Sequence, residues 1–368
     1  MRVEDLVEPF RDRKATLALA ERLAVAVTRP TRLMEVCGTH TVAFLRAGLA
    51  SLVPERLSLI AGPGCPVCVT SASDIATATL LAEQPEVIVT TFGDMLRVPA
   101  GGRSLEASRA QGAKVRVVTS PMESLDLARA NPGYKVVFLA IGFETTAPSV
   151  AATVKEAAVE DVRNYLVFVA HKLIPPAMEA LLESGEVAID GYLCPGHVSA
   201  IIGAQAYQPL AEKFRVPCVV TGFEPTDLLE GMCEAAEMVA SGEHGVRNQY
   251  RRVVRWEGNE RARALVDEVF QVADAEWRGL GVIPRSGLML RNEFARFDAR
   301  RAFDLSDAPQ AADAPGCRCG EVLRGLIAPP QCALFGSICT PESPQGACMV
   351  SSEGACRAYY RYGGMEGA

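Results

Sequence analysis

Two hydrophobic rhythms alternate along this chain. Residues 2–28 carry apolar side chains at helical spacing among Ala, Leu, Glu and Arg, which predicts a leading helix ending before Pro30. Short β-branched runs follow at 32–36, 57–61, 87–91 and 115–119, and helical patterns at 43–52, 72–82 and 105–111 separate them. The rhythm restarts after Asn131-Pro132-Gly133. It predicts strands at 135–141, 165–170, 191–193 and 218–220 and helices at 147–159, 176–184 and 200–213. Such alternation implies parallel sheets with helices on both faces.

The expected fold class is therefore α/β, with two doubly wound (Rossmann-like) parallel-sheet domains. The expected division is an N-terminal helix at 1–30, a first α/β domain at 31–130, a second at 131–225 and a C-terminal domain at 226–368. Short echoes link the halves: Gly142-Phe143-Glu144 recurs as Gly222-Phe223-Glu224, each after a predicted strand. From Pro225 the pattern turns helical, at 226–241 and 259–277. Beyond Asp304 it becomes irregular and rich in Gly, Pro and Cys. A segment of that kind buries little apolar surface by itself and needs a metal or disulfide staple.

Composition narrows the function. Of 368 residues, 49% are apolar, enough for a sizeable core divided between two or three domains. A net charge of −7 without any basic block argues against a nucleic-acid partner. The N-terminus has no secretory pattern, and the longest apolar runs, such as 136–141, fall far short of the ~20 residues of a membrane helix. A soluble cytoplasmic chain with no membrane partner is expected. Twelve cysteines are many for a reducing compartment, where metal or redox work is a better account of them than structural disulfides. Six fall between Cys317 and Cys356 and three between Cys37 and Cys68, whereas Cys218 and Cys233 are scattered like passive core thiols.

Cys317, Cys332, Cys339 and Cys356 are separated by 14, 6 and 16 residues. Four thiolates of one irregular segment can hold zinc or an iron–sulfur cluster; the tight pairs usual for zinc are absent, and the gaps differ from ferredoxin spacings too. Cys319 and Cys348 exceed one four-coordinate site and are either a redox pair or passive thiols. Gly62-Pro63-Gly64-Cys65-Pro66-Val67-Cys68 places a C-x-x-C pair after a strand, a thiol–disulfide arrangement or half of a zinc site. Cys37-Gly38-Thr39-His40 also ends a predicted strand. Successive parallel strands open on one edge, so Cys37, His40, Cys65 and Cys68 should converge there, to bind a soft metal or to act as nucleophile and base. Glu144, in Gly142-Phe143-Glu144-Thr145-Thr146-Ala147-Pro148, and His197, in Pro195-Gly196-His197-Val198-Ser199, are candidate proton carriers in the cleft between domains. His171 is a possible third, and His244 a surface residue. Thr145 and Thr146 suit a helix cap. No Walker A loop, dinucleotide fingerprint or nucleophile elbow is present.

These blocks, with Cys317-Arg318-Cys319-Gly320 and the run from Gly346 to Cys356, resemble those of the HypD hydrogenase maturation factors in the same order over nearly the whole chain. The resemblance implies two α/β domains and a mostly helical and irregular C-terminal domain carrying a [4Fe–4S] cluster on Cys317, Cys332, Cys339 and Cys356. It implies redox pairs at Cys319/Cys348 and Cys65/Cys68. It also implies that Cys37, with Cys65 and Cys68, meets the iron of an Fe(CN)2CO unit, with His40 close by. The partners it implies are HypC, which shares the iron, and HypE, which delivers cyanide. A free-standing cluster-dependent thiol–disulfide oxidoreductase is the alternative, and a zinc-stapled binding protein a third reading.

Overall fold

The computed structural model describes residues 8–305 and 311–363. Asp12 caps the leading helix, Arg13–Ala26, its carboxylate accepting from the Ala15 amide 2.7 Å away. The strands then run in the order β1 (Thr31–Glu35), β2 (Leu57–Ala61), β3 (Val87–Thr91), β4 (Val115–Val117), β5 (Lys135–Ala140), β6 (Tyr165–Val169), β7 (Gly191–Pro195), β8 (Pro217–Thr221) and β9 (Gly245–Asn248). All are parallel to their neighbours. They form two sheets, ordered β2-β1-β7-β8-β9 and β4-β3-β5-β6. The α/β class with two parallel sheets agrees with the sequence pattern. The inner strands β3, β7 and β8 are buried at every residue, as strands covered on both faces must be.

The sheets do not follow the expected division at residue 131. β3 and β4 belong with β5 and β6, and the first two strands pair instead with β7 and β8. The second sheet is an insertion within the first. Asn131-Pro132-Gly133 is a turn inside that insertion, between the helix Pro121–Ala130 and β5. Periodicity reports each strand's burial but carries no information on which strand it joins.

The C-terminal third differs more. The helix expected at 259–277 stops at Val269, and an antiparallel hairpin of β10 (Phe270–Trp277) and β11 (Gly281–Leu290) follows. Ala and Glu favour a helix here, but cross-strand pairing overrides a weak propensity. Gly279 and Gly281, both at φ +76°, make the turn. Beyond the hairpin, among the described residues, only short helices occur, including Cys319–Leu323, Ala347–Val350 and Ala355–Tyr362.

This segment straddles both sheets. Cys319, Cys348, Met349 and Cys356 share a hydrophobic core with Met34 and Val36 of the first sheet and Phe143 and Ile174 of the second. Arg97 donates to the Pro341 carbonyl at 2.8 Å, and the Asp94 carboxylate accepts from Ser351 and Ser352. Among the described residues, no helix is long and apolar enough to cross a membrane.

Candidate thiol and metal site

β1 and β2 are adjacent, so their C-terminal ends open on one edge of the sheet. The helix Gly38–Arg46 starts after β1 with Cys37 at its N-cap. The short helix Pro66–Val69 starts after β2 with Cys65 at its N-cap, the sulfur accepting from the Cys68 amide at 3.3 Å. The two turns are tied together by the Gly38 amide, which donates to the Gly64 carbonyl at 2.9 Å. Cys65 and Cys68 form a disulfide, and Cys68 is fully buried.

Burial pushes the Cys37 thiol up to about 12, with the carboxylates of Glu353 and Glu35 adding to the rise and the His40 amide opposing it. His40 is fully buried. Its Nε2 lies 3.3 Å from the Thr221 carbonyl at the end of β8, and Nδ1 has no partner. Burial pushes its ring down to about 4, so it is neutral at physiological pH. Phe223 bridges the two histidines of this edge: its centroid is 4.9 Å from that of His40 and 4.0 Å from that of the exposed His197 ring. Thr39 donates to the Glu353 carboxylate at 2.8 Å, which brings the C-terminal segment onto the Cys37 turn. Cys37, His40, Cys65, Cys68 and His197 thus gather at one sheet edge.

Glu144 follows β5 of the second sheet. It is buried, accepts from the Ile174 amide at 3.0 Å and leaves its second oxygen without a partner. Burial raises its carboxyl to about 7. No hydrogen bond or ion pair joins it to Cys37, His40 or His197. His171 is also apart, buried 5.9 Å from Phe270 by ring centroid with neither ring nitrogen partnered, and burial pushes it down to about 3. His244 is half-buried in the loop before β9 rather than on the open surface.

The second gathering of sulfur is in the C-terminal segment. Cys317, Cys332, Cys339 and Cys356 line one cavity together with Cys319 and Cys348, and Val322, Leu334, Phe335 and Met349 make the rest of its wall largely apolar. The sulfurs of Cys319 and Cys348 are 2.7 Å apart. The Gln345 amide points at the Cys339 sulfur at 3.4 Å. A β-carbon on Gly346 would stand 2.6 Å from the Cys317 sulfur, so a side chain there would displace that thiol. Among the described residues, no three His, Cys, Asp or Glu side chains are close enough to share one metal ion. Four thiols lining one largely apolar cavity are a donor set that either zinc or an iron–sulfur cluster can use. The two centres adjoin: the Cys68 sulfur is 4.0 Å from the Ala347 carbonyl, one residue before Cys348.

Glu353 and Phe223 escaped the sequence reading. Phe223 sits in the echoed Gly222-Phe223-Glu224, and Glu353 between Cys348 and Cys356, but neither side chain announces a role until the fold brings it to Cys37 and His40.

Fold and site together define a two-sheet α/β protein with nine cysteines in two adjoining sulfur centres. The family model HypD, described as the hydrogenase formation hypA family, matches residues 14–363. The chain belongs to that family. It is 48% identical over 362 residues to the hydrogenase maturation factor HypD of Escherichia coli, covering 98% of this chain and 95% of that one. It is 46% identical to the HypD of Azotobacter vinelandii, covering 97% and 96%, and 44% identical to that of Rhodobacter capsulatus, covering 95% and 94%.

Proposed function

We propose that this chain is a hydrogenase maturation factor, a cytoplasmic scaffold on which the Fe(CN)2CO unit of a [NiFe]-hydrogenase is assembled with HypC and HypE. The observation that carries this reading is the convergence of Cys37 with the Cys65–Cys68 disulfide at one sheet edge, beside a cavity of six further cysteines. The iron unit is cargo. Cyanide and CO favour low-spin ferrous iron, a soft centre that thiolates hold well. The free Cys37 thiol keeps its proton at neutral pH, and an arriving cation supplies the charge that makes the thiolate favourable. Neutral His40 leaves Nδ1 unpartnered in the same turn, and the exposed His197 ring stacks on the Phe223 that also meets the His40 ring.

Cys317, Cys332, Cys339 and Cys356 would hold a [4Fe–4S] cluster, which supplies one-electron chemistry to the neighbouring thiols. Cys319 and Cys348 stand between those ligands and the Cys65–Cys68 pair, so two electrons and two protons could open that disulfide.

The proximity of the two dithiols also favours a second reading, a thiol–disulfide oxidoreductase without bound iron at Cys37. Infrared spectra of the chain co-produced with HypC and HypE separate the two. The scaffold reading expects cyanide and CO stretches that Cys37→Ala abolishes while visible absorption persists, and Cys332→Ala should remove that absorption. Absence of the stretches from a chain that keeps its visible absorption would leave the oxidoreductase. A colourless, zinc-loaded protein would sink both.

A further inference from the structure

A cavity of about 390 Å³ opens between the end of β6, the first turn of the helix Ala72–Ala82 and the β10–β11 hairpin, and no cysteine lines it. Its volume is that of a small-molecule pocket. Two buried polar side chains in its lining lack partners they need. His171 is 1% exposed, and neither ring nitrogen has a partner. Lys172 is 3% exposed. Among the described residues its ammonium makes one hydrogen bond, to Asp74 at 3.5 Å, which is long for an N–H···O contact. Asp74 is shared, because Arg300 donates to its other oxygen at 2.6 Å.

One carboxylate thus answers two cations. An ammonium carries three N–H groups and a neutral imidazole one, so most of the donors at this floor have no acceptor, and burying them unpaired is costly. Ser73 and Asp74, in the first turn of their helix, line the same cavity, and the free amides of a helix N-terminus favour an anion. A carboxylate from outside would supply the missing charge and accept from Lys172 and His171. The remaining lining decides what else that ligand carries. Asp298, Asp274 and Glu276 are all part of it. Asp298 is answered by the Arg300 amide and by Arg301, and Asp274 by the Arg285 amide. Glu276 is exposed and has no hydrogen bond or ion pair among the described residues. Three carboxylates repel a dianion such as phosphate, and the unanswered one suits a cationic group.

We propose that this cavity is a binding site for a small zwitterionic amino acid. The ligand's carboxylate accepts from Lys172 and His171 at the floor, and its ammonium meets Glu276. Arg300 stays on Asp74 and keeps that carboxylate from competing for the whole of the Lys172 charge. The site is independent of the sulfur centres and stands whether or not iron is assembled on them.

The test is saturation-transfer NMR of the full-length chain titrated with glycine, 4-aminobutyrate and 6-aminohexanoate, which carry the same two charges at three spacings. At least one should saturate at millimolar concentration or below. Lys172→Met should weaken that ligand by about tenfold or more, as loss of a hydrogen bond to a charged group does. Glu276→Gln should weaken it severalfold. The matching acid without the amine (acetate, butyrate or hexanoate) should bind less tightly, and inorganic phosphate at equal concentration should not displace the amino acid. Saturation by none of the three overturns the proposal, as does an affinity that neither variant changes. An acid that binds as tightly as its amino counterpart, or displacement by phosphate, overturns it too. If Lys172→Met fails to fold, Glu276→Gln, at an exposed position, decides alone.

Discussion

Gly64 stands so close to Cys37 that a β-carbon on it would lie 2.0 Å from the Cys37 amide nitrogen. No side chain gives way at such a contact, because the obstacle is backbone. The loop after β2 therefore reaches the Cys37 turn only if position 64 is glycine. Gly64→Ala should push the 62–68 loop away and break the Gly38–Gly64 hydrogen bond. We expect a destabilisation of about 3 kcal/mol in urea unfolding, the upper end of the usual range for overpacking. Co-produced protein should lose the cyanide and CO bands even where it folds. Parent-like stability would show that the loop can approach Cys37 by another route.

Glu144 supplies a pH dependence of defined sign. Its carboxyl titrates at about 7 when folded, because burial disfavours the charge, against 4.5 when exposed. Between those values the folded chain holds a proton that the unfolded chain has released. The stability from this group is fully present below the lower value and is lost as pH rises through the upper one. Glu144→Gln removes the titration. The stability of the parent chain relative to this variant should fall by up to roughly 3 kcal/mol between pH 4.5 and pH 8, measured by urea unfolding across that range. A constant difference would show that the Glu144 carboxyl is not desolvated.

Most of the parallel strands were legible in the sequence. β2 and β3 lie at the residues the hydrophobic pattern marks; β3, buried at every residue, reads as an unbroken β-branched run. The convergence of Cys37 with Cys65 and Cys68 was legible too, since it needs only that β1 and β2 be neighbours. Sheet membership was not, because Val87 and Leu57 are equally apolar and nothing local tells which sheet each joins. The hairpin was hidden by Ala273, Ala275 and Glu276, helix formers held in strands by pairing with β11. Glu144 and His197 each follow a parallel strand, yet the first side chain is buried and the second exposed. Burial of that kind is a tertiary property.

Asp74 is shared by two cations that reach it from different parts of the chain. Lys172, almost fully buried after β6, lies 3.5 Å away, and Arg300 lies at 2.6 Å. Removing the carboxylate leaves the Lys172 ammonium buried without its counter-ion, whereas Arg300 is half-exposed and can turn to water. Asp74→Asn should destabilise the chain by about 3 kcal/mol, as breaking a buried pair from one side does. Adding Lys172→Met to Asp74→Asn should recover much of the loss. A double variant no better than the single one would show that Lys172 is solvated in solution.

Glu353 reaches the Cys37 turn from the far end of the chain, and its charge there is separable from its hydrogen bond. Burial is the main reason the Cys37 thiol is held up, and the Glu353 carboxylate is the next group opposing the thiolate. Glu353→Gln keeps an oxygen that can accept from Thr39 while removing the charge. The Cys37 thiol should then ionise more readily. Its alkylation by iodoacetamide at pH 8–9, followed by mass spectrometry of the Cys37 peptide in the metal-free chain, should quicken severalfold. Glu353→Ala removes charge and hydrogen bond together, so comparing the two variants separates electrostatics from loosening of the turn. If only Glu353→Ala quickens the reaction, the carboxylate matters as an anchor for Thr39 and not as a charge facing the sulfur.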